Sequence, residues 1–478
     1  MFKVIKSTGL ILLTILLIGC PTVPVTSIFT VILERTDIKI WDKVTAQVIA
    51  PNPYNHQYEY RFWAERGKVI SDNISNPYGV YYSPFTGGKD TIKVTVFDRN
   101  DNTNLTPITY PVTVNGDSMV YIDLGTTSST LADNTNGLIK IASLRGLSQT
   151  KDVAYGREPS ISPDGKYIAY TYFPGDGSSQ IYIKDPAGNE VNLTNHRSFN
   201  MEPCWSPIGA DGQLYLAFSS DRISTGAGQT GGEHGEFYHI WQMNVNGSDL
   251  RQVTNTAGND REPTWAPDGR SIVYSSDYYQ NKANNFRNLY KIDITTRQLN
   301  ALTNETVAQK GCYQPAFSPD GQKLTYMRKY IWRQLQQEVN MQKIWLIDFN
   351  QANAGFGRIA TRQTDATTME SSPSWTVDNR NITYVKNRGT EYSVVSIPFD
   401  SIPINNNQGS IIDPILEGGL MNAIEAQWAR QSMTFGSGYS GYPGYGSGVT
   451  PNYPYPGATY NPYPYPGATY NPYPTPTY

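Results

Sequence analysis

From Ser27 to Val114 apolar and polar residues alternate with a period of two. Val44, Ala46 and Val48 are interleaved with Thr45 and Gln47, and Ile92, Val94 and Val96 with Lys93 and Thr95. This is the pattern of strands with one buried and one wet face. Pro51-Asn52-Pro53, Gly67, Asn76-Pro77 and Gly87-Gly88 punctuate the runs, which predicts a half-buried antiparallel sandwich. Further along, the apolar runs shorten and recur: Tyr167-Ile168-Ala169-Tyr170, Tyr215-Leu216-Ala217-Phe218, Ile272-Val273-Tyr274, Leu324-Thr325-Tyr326 and Ile382-Thr383-Tyr384. Long amphipathic helical patterns are hard to find.

Each of those runs follows the same punctuation. Glu262-Pro263-Thr264-Trp265-Ala266-Pro267-Asp268-Gly269 reads as strand, tight turn and second strand. It returns as Glu158-Pro159 with Ser162-Pro163-Asp164-Gly165, and as Glu202-Pro203 with Trp205-Ser206-Pro207 and a delayed Asp211-Gly212. Gln314-Pro315 leads through Phe317 to Ser318-Pro319-Asp320-Gly321, and Ser372-Pro373 through Trp375 to Thr376-Val377-Asp378-Asn379. Five copies at steps of 44 to 60 residues form an array. A third strand (Ile181-Tyr182-Ile183, Ile240–Met243, Leu289–Ile292, Ile344–Ile347) and a fourth, ending Leu193-Thr194, Val253-Thr254 and Leu302-Thr303, complete each copy. Four strands per repeat is a propeller blade.

The ends of the array suggest how it closes. Gly116–Tyr121 matches Gly269–Tyr274 but lacks a first strand; Glu425–Ala429 matches Glu262–Ala266 but lacks a second. Together they make one blade and bring the count to six. The repeat signature resembles that of TolB-like β-propellers over 116–430. In the first module, Tyr60-Arg61-Phe62-Trp63 with Gly67, then Val80–Pro84 and Gly88–Ile92, ending at Asp98, resemble a bacterial immunoglobulin-like or PKD-type domain. The expected fold is all-β: a sandwich at 27–115, a six-bladed propeller at 116–430 closed by pairing of its terminal strands, and a disordered tail at 431–478.

Lys3, Lys6 and the apolar run Gly9–Ile18 read as a secretory leader, too short to span a membrane. Leu17-Ile18-Gly19-Cys20 resembles a lipoprotein lipobox. The resemblance implies a signal peptide at 1–19, a lipid on Cys20, a linker at 20–26, and a place in the bacterial cell envelope, with the outer membrane or periplasmic face favoured over the inner membrane. The tail carries no charge beyond Arg430, and Tyr453–Pro462 repeats unchanged at 463–472; its alternating prolines forbid helix and sheet ladders.

Charge excludes nucleic acid as a partner: Lys+Arg 38 nearly balances Asp+Glu 41. Three cysteines make no disulfide framework, and Cys204 and Cys312 read as buried hydrophobes. The turn aspartates Asp164, Asp268 and Asp320 read as local hydrogen-bonding groups and not as metal ligands. Of the four histidines (His56, His196, His234, His239), the near pair His234 and His239 lacks a third ligand at metal spacing, and no nucleophile elbow is present. No metal, cofactor or catalytic residue is expected, and the expected role is a non-enzymatic protein-binding scaffold. Binding of carbohydrate or peptidoglycan by the sandwich or tail is the alternative, with a propeller enzyme holding a channel metal behind it. Candidate partner-binding residues lie on three long loops between second and third strands, 221–238, 277–288 and 329–342: Tyr278, Tyr279, Phe286, Arg287, Lys329, Tyr330, Trp332 and Arg333. Arg157 and Arg261 join them at blade-to-blade connections beside the channel, with Glu158, Glu202 and Glu262.

Overall fold

The structure is a computed structural model and describes residues 29–51, 56–123, 135–143, 150–209, 212–223, 234–278, 286–307, 310–334, 337–349, 357–361, 367–389, 391–402 and 423–428. The leader with Cys20, the residue Tyr279 and the Tyr/Pro tail lie outside these. Among the described residues no helix is long and apolar enough to cross a membrane.

Among the described residues the first module holds nine strands: β1 (Thr30–Leu33), β2 (Ile38–Lys39), β3 (Lys43–Ile49), β4 (Tyr58–Ala64), β5 (Lys68–Ile70), β6 (Tyr78–Tyr82), β7 (Gly88–Asp98), β8 (Thr103–Asn104) and β9 (Ile108–Asn115). One sheet runs β1-β3-β6-β5 and the other β2-β9-β7-β4, with β8 beside β7. The alternation seen in sequence is obeyed: Val44, Ala46, Val48, Ile92, Val94 and Val96 face one shared core. Tyr81 crosses that core and donates to Asp90 Oδ2 at 2.7 Å. The same carboxylate accepts from the Arg66 and Gly67 amides, so a buried charge is fully hydrogen-bonded. Gly67 is required there, because a Cβ would sit 2.5 Å from the Tyr82 carbonyl oxygen.

The array opens with β10 (Ser118–Asp123), β11 (Gly137–Ser143) and the long β12 (Thr150–Ile161), then β13 (Ile168–Tyr172), β14 (Gln180–Lys184) and β15 (Glu190–Asn192). The first half of β12 pairs with β11 and the second half with β13, so one strand is the rim of one blade and the hub of the next. Regular four-stranded sheets follow. The first is β16 (Asn200–Trp205), β17 (Tyr215–Arg222), β18 (His234–Asn244) and β19 (Arg251–Gln252). The second is β20 (Asp260–Trp265), β21 (Ser271–Ser276), β22 (Asn288–Asp293) and β23 (Leu299–Ala301). The third is β24 (Gly311–Phe317), β25 (Lys323–Gln334), β26 (Gln337–Asp348) and β27 (Arg358–Ile359). The last sheet contains β28 (Met369–Trp375), β29 (Asn381–Arg388) and β30 (Glu391–Pro398). Finally β31 (Ala423–Trp428) pairs antiparallel with β10, Met119 opposite Trp428. The hub strands β12, β16, β20, β24, β28 and β31 touch in cyclic order, β31 returning to β12.

Aromatic residues on the hub strands fasten neighbouring sheets. Trp205 packs on Ala169 and Ile181 of the preceding sheet and donates its indole N–H to the Ser160 carbonyl at 3.0 Å. Trp265, Phe317 and Trp375 occupy the same place one sheet further on each time. The turn aspartates act locally. Asp268 Oδ1 accepts from the amides of Arg270 and Ser271, and Asp164, Asp320 and Asp378 each hold the hydroxyl two residues before them. Cys204 and Cys312 are buried free thiols, and burial pushes the Cys312 thiol up to about 12.

One sequence expectation is corrected here. Segment 329–342 is not a loop: β25 and β26 pair without interruption from Lys323–Asp348 to Gln334–Gln337. In 221–238 likewise, Arg222 already pairs with His234. Ladder hydrogen bonds extend both strand pairs, and Arg222, Tyr330 and Met341 on them remain buried.

Candidate functional site

Five hub strands carry the same internal distortion. Glu158, Glu202, Glu262, Gln314 and Ser372 have left-handed φ values of 52°, 59°, 56°, 52° and 51°. Each sits in a β-bulge, where the ladder slips between Arg157 and Ser160, Met201 and Cys204, Arg261 and Thr264, Tyr313 and Ala316, and Ser371 and Ser374. A non-glycine residue in this region costs about 1–2 kcal/mol, and here the distortion recurs at every copy.

What offsets that cost is a relay around the axis. The Glu202 amide donates to Glu158 Oε2 at 2.7 Å, and the Glu262 amide to Glu202 Oε2 at 2.7 Å. The Gln314 amide then donates to Glu262 Oε2 at 2.8 Å, and the Ser372 amide to Gln314 Oε1 at 2.8 Å. Each side chain thus satisfies an amide that its neighbour's bulge has removed from the ladder. The prolines that follow (Pro159, Pro203, Pro263, Pro315, Pro373) have no amide to satisfy.

These residues line an open cavity of ≈ 870 Å³ at one end of the axis, with Cys204, Thr264, Ala316 and Ser374 deeper in. Ala316 and Ser374 also border a second cavity at the far ends of the strands, walled by Pro163, Pro207, Pro267, Pro319 and Val377. The axial passage therefore has a charged mouth and an apolar mouth.

Around the charged mouth the electrostatics are uneven. Arg261 reaches Glu202 with Nη2 2.6 Å from Oε1 and Nε at 3.0 Å, and its guanidinium lies over the Tyr238 ring at 4.6 Å. Burial alone raises the Glu202 carboxyl, but Arg261 and the hydrogen bond from Ser219 outweigh it and hold it below the usual value. Glu262 goes the other way: burial, then the neighbouring Glu202 charge, pushes it up against the partial relief from Arg287. Burial pushes the Tyr238 phenol up to about 12. Arg287 donates to the Asn259 carbonyl at 3.1 Å and lies 5.9 Å from the Tyr313 ring, which Lys329 approaches to 5.0 Å. Carboxylates, guanidinium groups and phenols thus share one rim. Among the described residues the channel carboxylates form no three-ligand metal group.

Arg157, Arg261, Arg287 and Lys329, named from sequence, fall on or beside this rim. Phe286 and Tyr330 do not stand free as expected: both are buried, Tyr330 edge-on to Trp345 with ring centroids 5.5 Å apart. Tyr278 is half-buried, its carbonyl accepting from the Tyr290 hydroxyl at 3.3 Å. Trp332 and Arg333 fall in the ladder of β25, and Tyr279 lies outside the described residues. Gln314, Ser372, Tyr238 and Tyr313 were missed; aligning the residue before each repeat proline would have found the first two.

A family model described as TolB beta propeller domain matches residues 151–328. The Tol-Pal system protein TolB of Francisella tularensis subsp. tularensis is 26% identical over 236 residues, 49% of this chain and 46% of that protein. An uncharacterized protein of Agrobacterium fabrum is 29% identical over 173 residues, 35% of this chain and 53% of its own. The crystal structure of TolB from Acinetobacter baumannii aligns with 78% of this chain and 83% of that one, at 18% identity and a TM-score of 0.44. The chain spans about half the length of the curated relatives it matches. It carries a TolB-like β-propeller in an all-β chain.

Proposed function

We propose that this protein is a lipid-anchored component of the bacterial cell envelope that holds a protein partner at the charged mouth of a closed six-bladed propeller, without catalysing a reaction. The observation that carries this reading is the relay of Glu158, Glu202, Glu262, Gln314 and Ser372 around an open cavity. A binding site needs donors and acceptors fixed before the partner arrives, because ordering them on binding costs affinity. Here the acceptors are already fixed by the bulges, and Arg261, Arg287, Tyr238 and Tyr313 supply residue types common at binding hot spots. The cyclic contact of the hub strands supports the six-bladed closure, and the two-sheet core of residues 29–115 supports an immunoglobulin-like spacer. The relatives named as Tol-Pal system proteins favour an envelope role of that general kind. Lipidation at Cys20 rests on the Leu17–Cys20 sequence.

The test is site-specific photo-crosslinking in cells. A photoreactive residue at Ser372 should give discrete protein adducts, while one at Val191, exposed on the outermost strand β15, should not. Equal adducts from both positions, or none from Ser372, would remove the charged mouth as the binding face.

A further inference from the structure

At the tip of the first module three side chains from separate stretches converge. His56 precedes β4, Asp98 ends β7, and Asp101 lies in the turn between β7 and β8. One ligand atom from each lies within 4.8 Å of the other two. His56 Nδ1 is 2.7 Å from Asp98 Oδ2, yet it is shielded from solvent and makes no hydrogen bond. Asp98 is buried, with only 6% of its side chain accessible. Its other oxygen, Oδ1, is engaged by the amides of Asn100 (2.9 Å) and Asp101 (3.4 Å), which fix the carboxylate and leave Oδ2 aimed at the imidazole.

We propose that His56, Asp98 and Asp101 bind a first-row divalent cation, with zinc the best match. The donor set is one imidazole nitrogen and two carboxylates. Calcium and magnesium prefer all-oxygen shells, whereas zinc accepts mixed nitrogen and oxygen ligands. Three protein ligands and one water complete a tetrahedral shell. Donors at 2.0–2.1 Å on a tetrahedral ion stand about 3.3 Å apart, so the present cluster reaches that geometry by small side-chain adjustments. Charge agrees. Arg99, the nearest cation in the turn, is committed to Glu59, leaving two carboxylates around one imidazole. The Tyr58 ring stacks on His56 with centroids 5.8 Å apart. That stacking orients the imidazole before any ion arrives.

The metal joins the end of β7, the turn after it and the chain entering β4. It thus acts as a clip on the sandwich, independent of the propeller's charged mouth. The test is calorimetric titration of zinc into the metal-stripped full chain, with cobalt absorption as a second readout. We expect one equivalent per chain and the visible bands of tetrahedral cobalt. His56→Ala and Asp101→Asn should each weaken binding by about 100-fold or more, since loss of even outer-sphere partners costs roughly 10–100-fold. His196→Ala, in the propeller, should bind as wild type. Asp98 is left intact because its Oδ1 holds the turn. No saturable binding, or binding equally strong in His56→Ala with unchanged circular dichroism, would overturn the site.

Discussion

The amide of Glu262 donates to Glu202 Oε2 at 2.7 Å, joining two residues that are 60 positions apart in the chain. Glu202 also holds Arg261 and the Ser219 hydroxyl, so one carboxylate serves two sheets at once. Glu202→Ala should lower unfolding free energy by roughly 2–4 kcal/mol, because it leaves a guanidinium, an amide and a hydroxyl without their acceptor. Glu202→Gln should cost less, since Gln314 already performs the same amide-accepting task with a carboxamide. Urea denaturation distinguishes them; equal losses would mean that charge, not the relay, is what matters.

Glu262 gives the relay a pH signature. Its carboxyl is raised in the folded protein, so the folded state holds that proton more tightly than the unfolded chain. The stabilisation is complete at low pH and is lost as pH rises from about 4.3, the ordinary glutamate value, through the raised folded value. Glu262→Gln keeps an acceptor for the Gln314 amide and removes the titration. The melting temperature of this variant relative to wild type should therefore climb across that interval. A constant difference at every pH would show that Glu262 titrates normally.

Lys343 and Glu370 form a wholly enclosed ion pair, Nζ to Oε1 at 3.0 Å, between β26 and β28. Lys343 also donates to the Thr368 hydroxyl at 2.9 Å, and Thr361 donates to Glu370 Oε2. Lys343→Met strands a buried carboxylate and should cost roughly 3–5 kcal/mol. The double variant Lys343→Met, Glu370→Leu should recover most of that loss. If single and double variants are equally unstable, the pair's surroundings and not its charges set the cost.

Ending the chain at residue 422 removes β31 and exposes the edge of β10. Scanning calorimetry should then show a lower melting temperature for the whole propeller, with concentration-dependent association through the open edge. An unchanged transition would show that β10 needs no partner.

The repeat was legible because its signal lies in residue types with few alternatives: Pro-Asp-Gly fixes a turn and Trp265 or Phe317 fixes a packing position. It also placed β31 beside β10, since Glu425–Ala429 copies Glu262–Ala266. The relay was harder to read. A carboxylate, an amide and a hydroxyl occupy equivalent places at Glu262, Gln314 and Ser372, and a left-handed φ leaves no mark on residues that are neither Gly nor Asn. Paired strands past Lys329 were read as a loop for a related reason. Hydrophobic alternation reports burial of one face, and Tyr330-Ile331-Trp332 shows none, although Tyr330 lies buried opposite Met341. Phe286 and Tyr330 were assigned to a surface because apolar residues inside a supposed loop look unemployed.

Phe85 and Arg66 of the first module grip the turn Asp164-Gly165: the Phe85 amide donates to the Gly165 carbonyl at 2.8 Å and Arg66 Nε to that of Asp164 at 3.0 Å. A Cβ on Gly165 would meet Thr86 Oγ1 at 2.3 Å, so the two surfaces are fitted to a glycine. That turn directly follows Pro163, one of the prolines walling the apolar mouth. The molecule consequently has a heading. The first module abuts the proline end of the propeller and leaves the carboxylate end facing away from it, so the two ends of the axis are not equally open to a visitor.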